Sequence, residues 1–180
     1  FGILPSLIWL SYYLRKDLHP EPKKMILSIF LWGAVITIPV FFVQIGLSYL
    51  LSMANLSPWI TTIIYWFLII ALSEELFKYL VIKMKVLSSP NLDEPLDIML
   101  YMVVAALGFA ALENILYLLP YGDSLRMTFY QDINRTLAIT LIRFVGATFL
   151  HTLCSAVVGY ALALSLCNVK QKDTCFLVCF

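Results

Sequence analysis

Four long apolar stretches, at residues 25–51, 59–85, 98–119 and 137–167, are separated by short segments in which charged residues and prolines collect. A helix rising about 1.5 Å per residue needs roughly 20 residues to cross a hydrocarbon layer about 30 Å thick, so each stretch is long enough to be a transmembrane helix. Shorter apolar runs at 1–14 and 174–180 predict partial spans at both chain ends. The first run has its basic residues after it, which is the reverse of a secretory signal peptide. The loops 15–24, 52–58, 88–97, 120–136 and 168–173 carry turn residues, among them Pro20, Pro22, Pro90 and Pro95. Pro39 lacks an amide proton and is expected to kink the 25–51 span. The pattern predicts an all-α polytopic transmembrane helix bundle forming a single domain over 1–180. It has four complete spans plus partial ones at both ends, and it reads as a piece of a longer chain.

Composition agrees with that class. Hydrophobic residues make up 62% of the chain and charged residues only 13%, about half the charged share of a soluble domain. A net charge of +1 leaves no electrostatic basis for a nucleic-acid partner. Arg15, Lys16, Lys23, Lys24, Lys83, Lys85, Lys170 and Lys172 fall on one side of the bilayer, and Arg126 and Arg135 on the other. Excess basic charge marks the cytoplasmic side, which predicts a multi-pass cell-membrane protein with loops 15–24, 83–97 and 168–173 in the cytoplasm. Cys154, Cys167, Cys175 and Cys179 lie in apolar runs and read as buried, reduced packing residues. Acylation of Cys167 and Cys175 near a membrane face is the alternative.

Polar groups inside the spans change the picture most. Glu74, Glu75, Lys78, Glu113, Arg143 and His151 all lie within apolar segments, where a full charge costs roughly 2.5 to 3.5 kcal/mol. They are therefore expected to face one another inside the bundle. Glu74 and Lys78 stand four residues apart, the spacing of an intrahelical ion pair, while Glu75 points about 100° away and is left for another task. Snorkelling of this cluster toward Lys83 and Lys85 is the bland alternative. Phe109 and Glu113 share a face, with Asn114 beside them, and an interhelical hydrogen-bond clamp would also explain that pair. Arg143, Ala147, His151, Ser155 and Gly159 follow at four-residue steps, a stripe that also suits close helix packing. Counted from the cytoplasmic ends, Glu75 lies roughly 15 Å deep and Glu113 and His151 roughly 22 to 24 Å. Asp97, just after a Pro-containing loop, reads as a helix N-cap outside the site.

Two carboxylates and an imidazole in a water-restricted pocket suit hydrolysis. A carboxylate can take a proton from water and return it to a leaving amine, and Asn and His can donate to a developing oxyanion. Ser155 lacks the context of a serine nucleophile. A metal held by Glu75, Glu113 and His151 is conceivable but has a single intramembrane histidine. A proton-coupled transporter, or a scaffold without catalysis, would use the same buried groups, yet no repeated half is visible.

These residues also carry a resemblance. Glu74-Glu75-Leu-Phe-Lys78 resembles the Glu-Glu-x-x-Lys motif of the PrsW family of intramembrane proteases, and Phe109-Ala-Ala-Leu-Glu113-Asn114 its Phe-x-x-x-Glu-Asn motif. His151 followed by Ser155 is similar to its third motif. Glu94, Pro95, Asp97 and Tyr101, and the loop with Asp17, His19, Pro20, Glu21 and Pro22 before Trp32 and Gly33, look like that family too. The core motifs fall within 59–167. The resemblance implies a glutamic-type, metal-independent endopeptidase without cofactors, distantly similar to CAAX prenyl proteases and bacteriocin-immunity proteins. It implies that Glu75, or Glu74 in its place, activates water, that His151 and Asn114 stabilise the oxyanion, and that Glu113 assists. Lys78, Phe109 and Ser155 would support them; from its spacing, Lys78 reads as structural, holding Glu74 charged, rather than as a nucleophile. The implied substrate is a membrane-anchored protein such as an anti-sigma-factor-like regulator, met within the lipid bilayer.

Overall fold

Lipid tails are as apolar as leucine, so helices in a bilayer associate through shape and polar contacts rather than through the hydrophobic effect. This chain obtains close contact from small residues. A computed structural model describes residues 2–15, 21–87, 89, 94–118 and 129–170, which are helical apart from short turns. The 16–20 segment with Asp17, His19 and Pro20, residues Pro90, Arg126 and Lys172, and the 174–180 run with Cys175 and Cys179 lie outside the described residues, as does the side chain of Cys167.

In chain order the helices are α1 (Leu4–Leu14), α2 (Lys23–Val35), α3 (Thr37–Met53), α4 (Pro58–Ile63), α5 (Ser73–Lys85), α6 (Pro95–Leu118), α7 (Phe129–Arg143) and α8 (Phe149–Lys170). Two π-helical segments, Ile64–Leu72 and Phe144–Thr148, join α4 to α5 and α7 to α8. Four continuous stretches are long and apolar enough to cross a membrane: Lys23–Met53, Pro58–Lys85, Leu96–Leu118 and Thr136–Leu166. They coincide with the expected spans to within a few residues. The break at Ile36 is the expected effect of Pro39, because the Val35 carbonyl has no amide proton to accept. Asn55, at φ 46°, supplies the left-handed turn that ends α3, and Pro58 opens α4.

The helix α7 begins at Phe129, within the 120–136 stretch expected as a loop. No Gly or Pro stands between Gly122 and Gly146, so nothing stops a helix there. Asp97 also differs from expectation. It is the third residue of α6, and its Oδ2 accepts the Glu94 backbone N–H at 2.8 Å, the reach-back half of a capping box. Cys154 is exposed on the outside of α8 rather than packed.

The centre of the bundle is α6. Of the most apolar window of Leu96–Leu118, 72% is buried, against 17–33% for the other three spans. Its run of Ala105, Ala106, Gly108, Ala110 and Ala111 lets α2 and α8 approach closely. A Cβ at Gly33 would overlap the Ala105 carbonyl and one at Gly108 the Phe30 carbonyl, while at Gly159 it would lie 2.7 Å from Met99 Cα. The outer faces carry Phe42, Trp59, Trp66, Phe67, Ile142 and Val145, all exposed, as expected of lipid-facing surfaces. The helix α1 packs on α6 and on the second π segment, where Trp9 Nε1 donates to the Phe144 carbonyl at 3.2 Å and its ring stacks on Phe144.

Candidate active site

Three helices bring the polar groups together: α5 supplies Glu74, Glu75 and Lys78, α6 supplies Phe109, Glu113 and Asn114, and the α7–α8 span supplies Arg143, Thr148, His151 and Ser155. They form one continuous chain of contacts. Ser155 Oγ donates to Glu75 Oε2 at 2.7 Å, and Lys78 Nζ donates to Glu75 Oε1, also at 2.7 Å. Lys78 Nζ lies 3.2 Å from His151 Nδ1, and His151 Nε2 lies 2.9 Å from Glu113 Oε2. Arg143 Nη2 donates to the same Glu113 oxygen at 2.6 Å, Arg143 Nε donates to Asn114 Oδ1, and Asn114 Nδ2 donates to Thr148 Oγ1 at 3.1 Å.

An ammonium group only donates, so beside Lys78 the His151 Nδ1 is the acceptor. The imidazole proton then sits on Nε2 and is donated to Glu113. Glu74 Oε2 stands 3.4 Å from Nδ1 and becomes its acceptor whenever His151 is doubly protonated. Phe109 forms one wall, with Lys78 Nζ 4.7 Å from its ring centroid and the His151 ring at 5.5 Å.

The pairing within α5 differs from the sequence expectation. Lys78 is 2.7 Å from Glu75, three residues away, and 4.0 Å from Glu74, four residues away. Both spacings are neighbours on a helix, and Glu74 is drawn elsewhere because its Oε1 accepts from Gln44 Nε2 at 3.3 Å. Snorkelling is also excluded, since the Lys78 side chain has no exposed surface and points at His151. The expected depth difference between Glu75 and His151 is bridged by the length of the Lys78 side chain, which touches both.

Some of these residues were not assigned from sequence. Gln44 is an amide inside the 25–51 apolar run, a signal of the same kind as Asn114. Ser73, whose Oγ accepts from Gln44 Nε2 at 3.3 Å, and Thr148 give little warning, because small hydroxyl residues are common in spans and bond their own helix, as Ser73 does through the Ile70 carbonyl. Arg143 was evident as an intramembrane charge, but its partners were not. Eight residues separate it from His151, which in a regular α-helix leaves the two about 80° apart. The intervening π segment, with its wider turn, brings both onto Glu113.

The family described as "PrsW family intramembrane metalloprotease" matches residues 21–180. Among similar curated proteins, Protease PrsW of Oceanobacillus iheyensis is 32% identical over 174 residues, covering 96% of this chain and 72% of that protein. Protease PrsW of Geobacillus kaustophilus is 38% identical over 124 residues, and that of Bacillus subtilis 35% over 122. Each alignment covers 67% of this chain and about half of the relative, 52% and 53%. No solved structure shows a significant match.

The family description names a metal, but the donor set here is already engaged. Glu75 is held by Lys78 and Ser155, Glu113 by Arg143 and His151, and the His151 nitrogens face Lys78 and Glu113. Two side-chain cations thus occupy the positions from which a divalent ion would draw its ligands. Among the described residues no three His, Cys, Asp or Glu groups form a metal-holding set. In this arrangement the residues do not fit a resident ion.

Proposed function

As the chain belongs to the PrsW family of intramembrane proteases, we propose that it hydrolyses a peptide bond in a membrane-anchored protein, using water activated by a glutamate and no metal ion. The observation that carries the reading is the linked set Glu75, Lys78, His151 and Glu113, enclosed by three helices of an apolar bundle. Glu75 is the base. Its side chain is 18% exposed against 10% for Glu74, so a water can reach it, and each of its oxygens keeps a second lone pair for that water.

Glu75 takes a proton as the water oxygen adds to the scissile carbonyl carbon. Lys78 and Ser155 hold the carboxylate in place during the transfer. The oxyanion that forms is met by the second Nδ2 hydrogen of Asn114, while His151, giving its Nε2–H to Glu113 and accepting from Lys78 at Nδ1, holds those two groups in place. His151 is oriented by Glu113, and its charged form is accommodated by Glu74. The carbon–nitrogen bond then breaks as the proton passes from Glu75 to the leaving amine. The location of the site, on spans whose outer surfaces are apolar, supports a membrane-anchored substrate.

The test is cleavage of single-span peptides, each carrying a fluorophore and a quencher, co-reconstituted with the protein in vesicles. Glu75→Gln, which keeps size and loses the base, and His151→Ala are expected to lose turnover while still inserting and accumulating. Wild-type turnover in both variants would remove the hydrolytic reading in favour of a transporter or scaffold.

A further inference from the structure

Arg143 is the one intramembrane charge that neither the sequence motifs nor the proposed chemistry uses, and its surroundings are specific. Glu113, Asn114 and Tyr117, all on α6, form a three-point cradle for its guanidinium. Nη2 donates to Glu113 Oε2 at 2.6 Å, Nε donates to Asn114 Oδ1, and the group lies over the Tyr117 ring at 4.0 Å from its centroid. The side chain is only 13% exposed. Arg143 immediately precedes the Phe144–Thr148 π segment, and Trp9 donates to the carbonyl of Phe144, the first residue of that segment. A simple surface ion pair would need neither the second hydrogen bond nor the wide turn.

Resting on the hydrolytic reading above, we propose that Arg143 is a positioning residue, which fixes the Glu113 carboxylate against His151 and the Asn114 amide against the forming oxyanion in a single rigid unit. Only a planar fork can hold both groups at once. Its grip on Oδ1 sets the amide plane of Asn114. Nδ2 carries two hydrogens, of which Thr148 takes one, and the other is then aimed by Arg143 rather than by chance. The same guanidinium leaves Glu113 Oε2 in place to accept from His151 Nε2. Arg143 touches neither water nor substrate in this scheme, and it acts through Glu113, Asn114 and His151.

The experiment measures kcat and KM on the vesicle-reconstituted single-span peptides for wild type, Glu75→Gln, Arg143→Gln, Arg143→Lys, Arg143→Ala and Tyr117→Leu. Misplacement of positioned groups by about 1 Å costs on the order of 100-fold. Arg143→Gln is expected to lose about that much in kcat with KM within about threefold. Arg143→Lys, which can hold one partner but not both, is expected to fall between, and millimolar methylguanidinium should restore part of the activity of Arg143→Ala. Tyr117 is half-exposed, so Tyr117→Leu folds whatever the arginine variants do, and it should lower kcat several-fold.

Glu75→Gln inactive with Arg143→Gln within about threefold of wild type would overturn the proposal and leave the hydrolytic reading standing. A loss that neither lysine nor methylguanidinium relieves, with Tyr117→Leu unchanged, would overturn it too and make Arg143 a structural ion pair. Turnover in Glu75→Gln would instead bring down the hydrolytic reading, and this proposal with it.

Discussion

A lysine with no exposed surface is sustainable in an apolar bundle only where carboxylates and acceptors surround it, and Lys78 has Glu75, Glu74, His151 and the Phe109 ring. Removing one partner of a buried pair leaves the other charge uncompensated, at a cost of roughly 3 to 5 kcal/mol. Lys78→Met should therefore unfold at a clearly lower temperature than wild type in the same detergent, and adding Glu75→Gln should recover part of that loss. Thermal unfolding of both singles and the double checks this, and a double mutant as unstable as the sum of the singles would contradict the pairing. At this scale much of the site was legible: Glu74, Glu75, Lys78, Glu113, Asn114 and His151 stand out because each is costly in a bilayer. Which carboxylate Lys78 prefers was not, because i,i+3 and i,i+4 neighbours are equivalent until another helix, here through Gln44, claims one of them.

Elements in this chain are positioned by glycine contacts and by departures from the regular helix. The α2–α6 crossing depends on reciprocal close approach at Gly33 and Gly108. Gly33→Ala should cost about 1 to 3 kcal/mol through overpacking. Gly46→Ala, where the added Cβ meets nothing within 4 Å, should be neutral or slightly stabilising. Equal thermal midpoints for the two variants would contradict the packing account. The π segments carry a different consequence. Inserting one alanine after Gly146 adds a residue to the wide turn and rotates the flanking helices by about 100° relative to each other, so Arg143 and His151 can no longer both reach Glu113. Turnover should be lost while membrane insertion persists, and retained turnover would mean that the wide turn does not set the register. The helices and their lengths were readable from hydropathy, whereas the π segments were not. They follow a regular apolar pattern and are selected by contacts from other elements, such as the Trp9 hydrogen bond to the Phe144 carbonyl.

Across the whole molecule, the spans pack so that Glu74, Glu75 and Glu113 face Lys78 and Arg143, with His151 between them. Sequence alone indicated a bundle and the polar residues that should meet in it. The central place of α6 emerges only from packing, since its run of alanines and glycine is what lets the neighbouring helices close around it. That arrangement of charges also bears on the proposed mechanism, in which the cations already present take the role that a metal would have among these carboxylates. Activity after metal removal is the most direct test of that claim. The wild-type protein, stripped with a chelator and shown to contain no stoichiometric metal, should still cleave the reconstituted single-span peptides, since a carboxylate base needs only its unprotonated form. Loss of cleavage on chelation, with recovery in proportion to added zinc or another divalent ion, would contradict the account and turn Glu75, Glu113 and His151 into ligands.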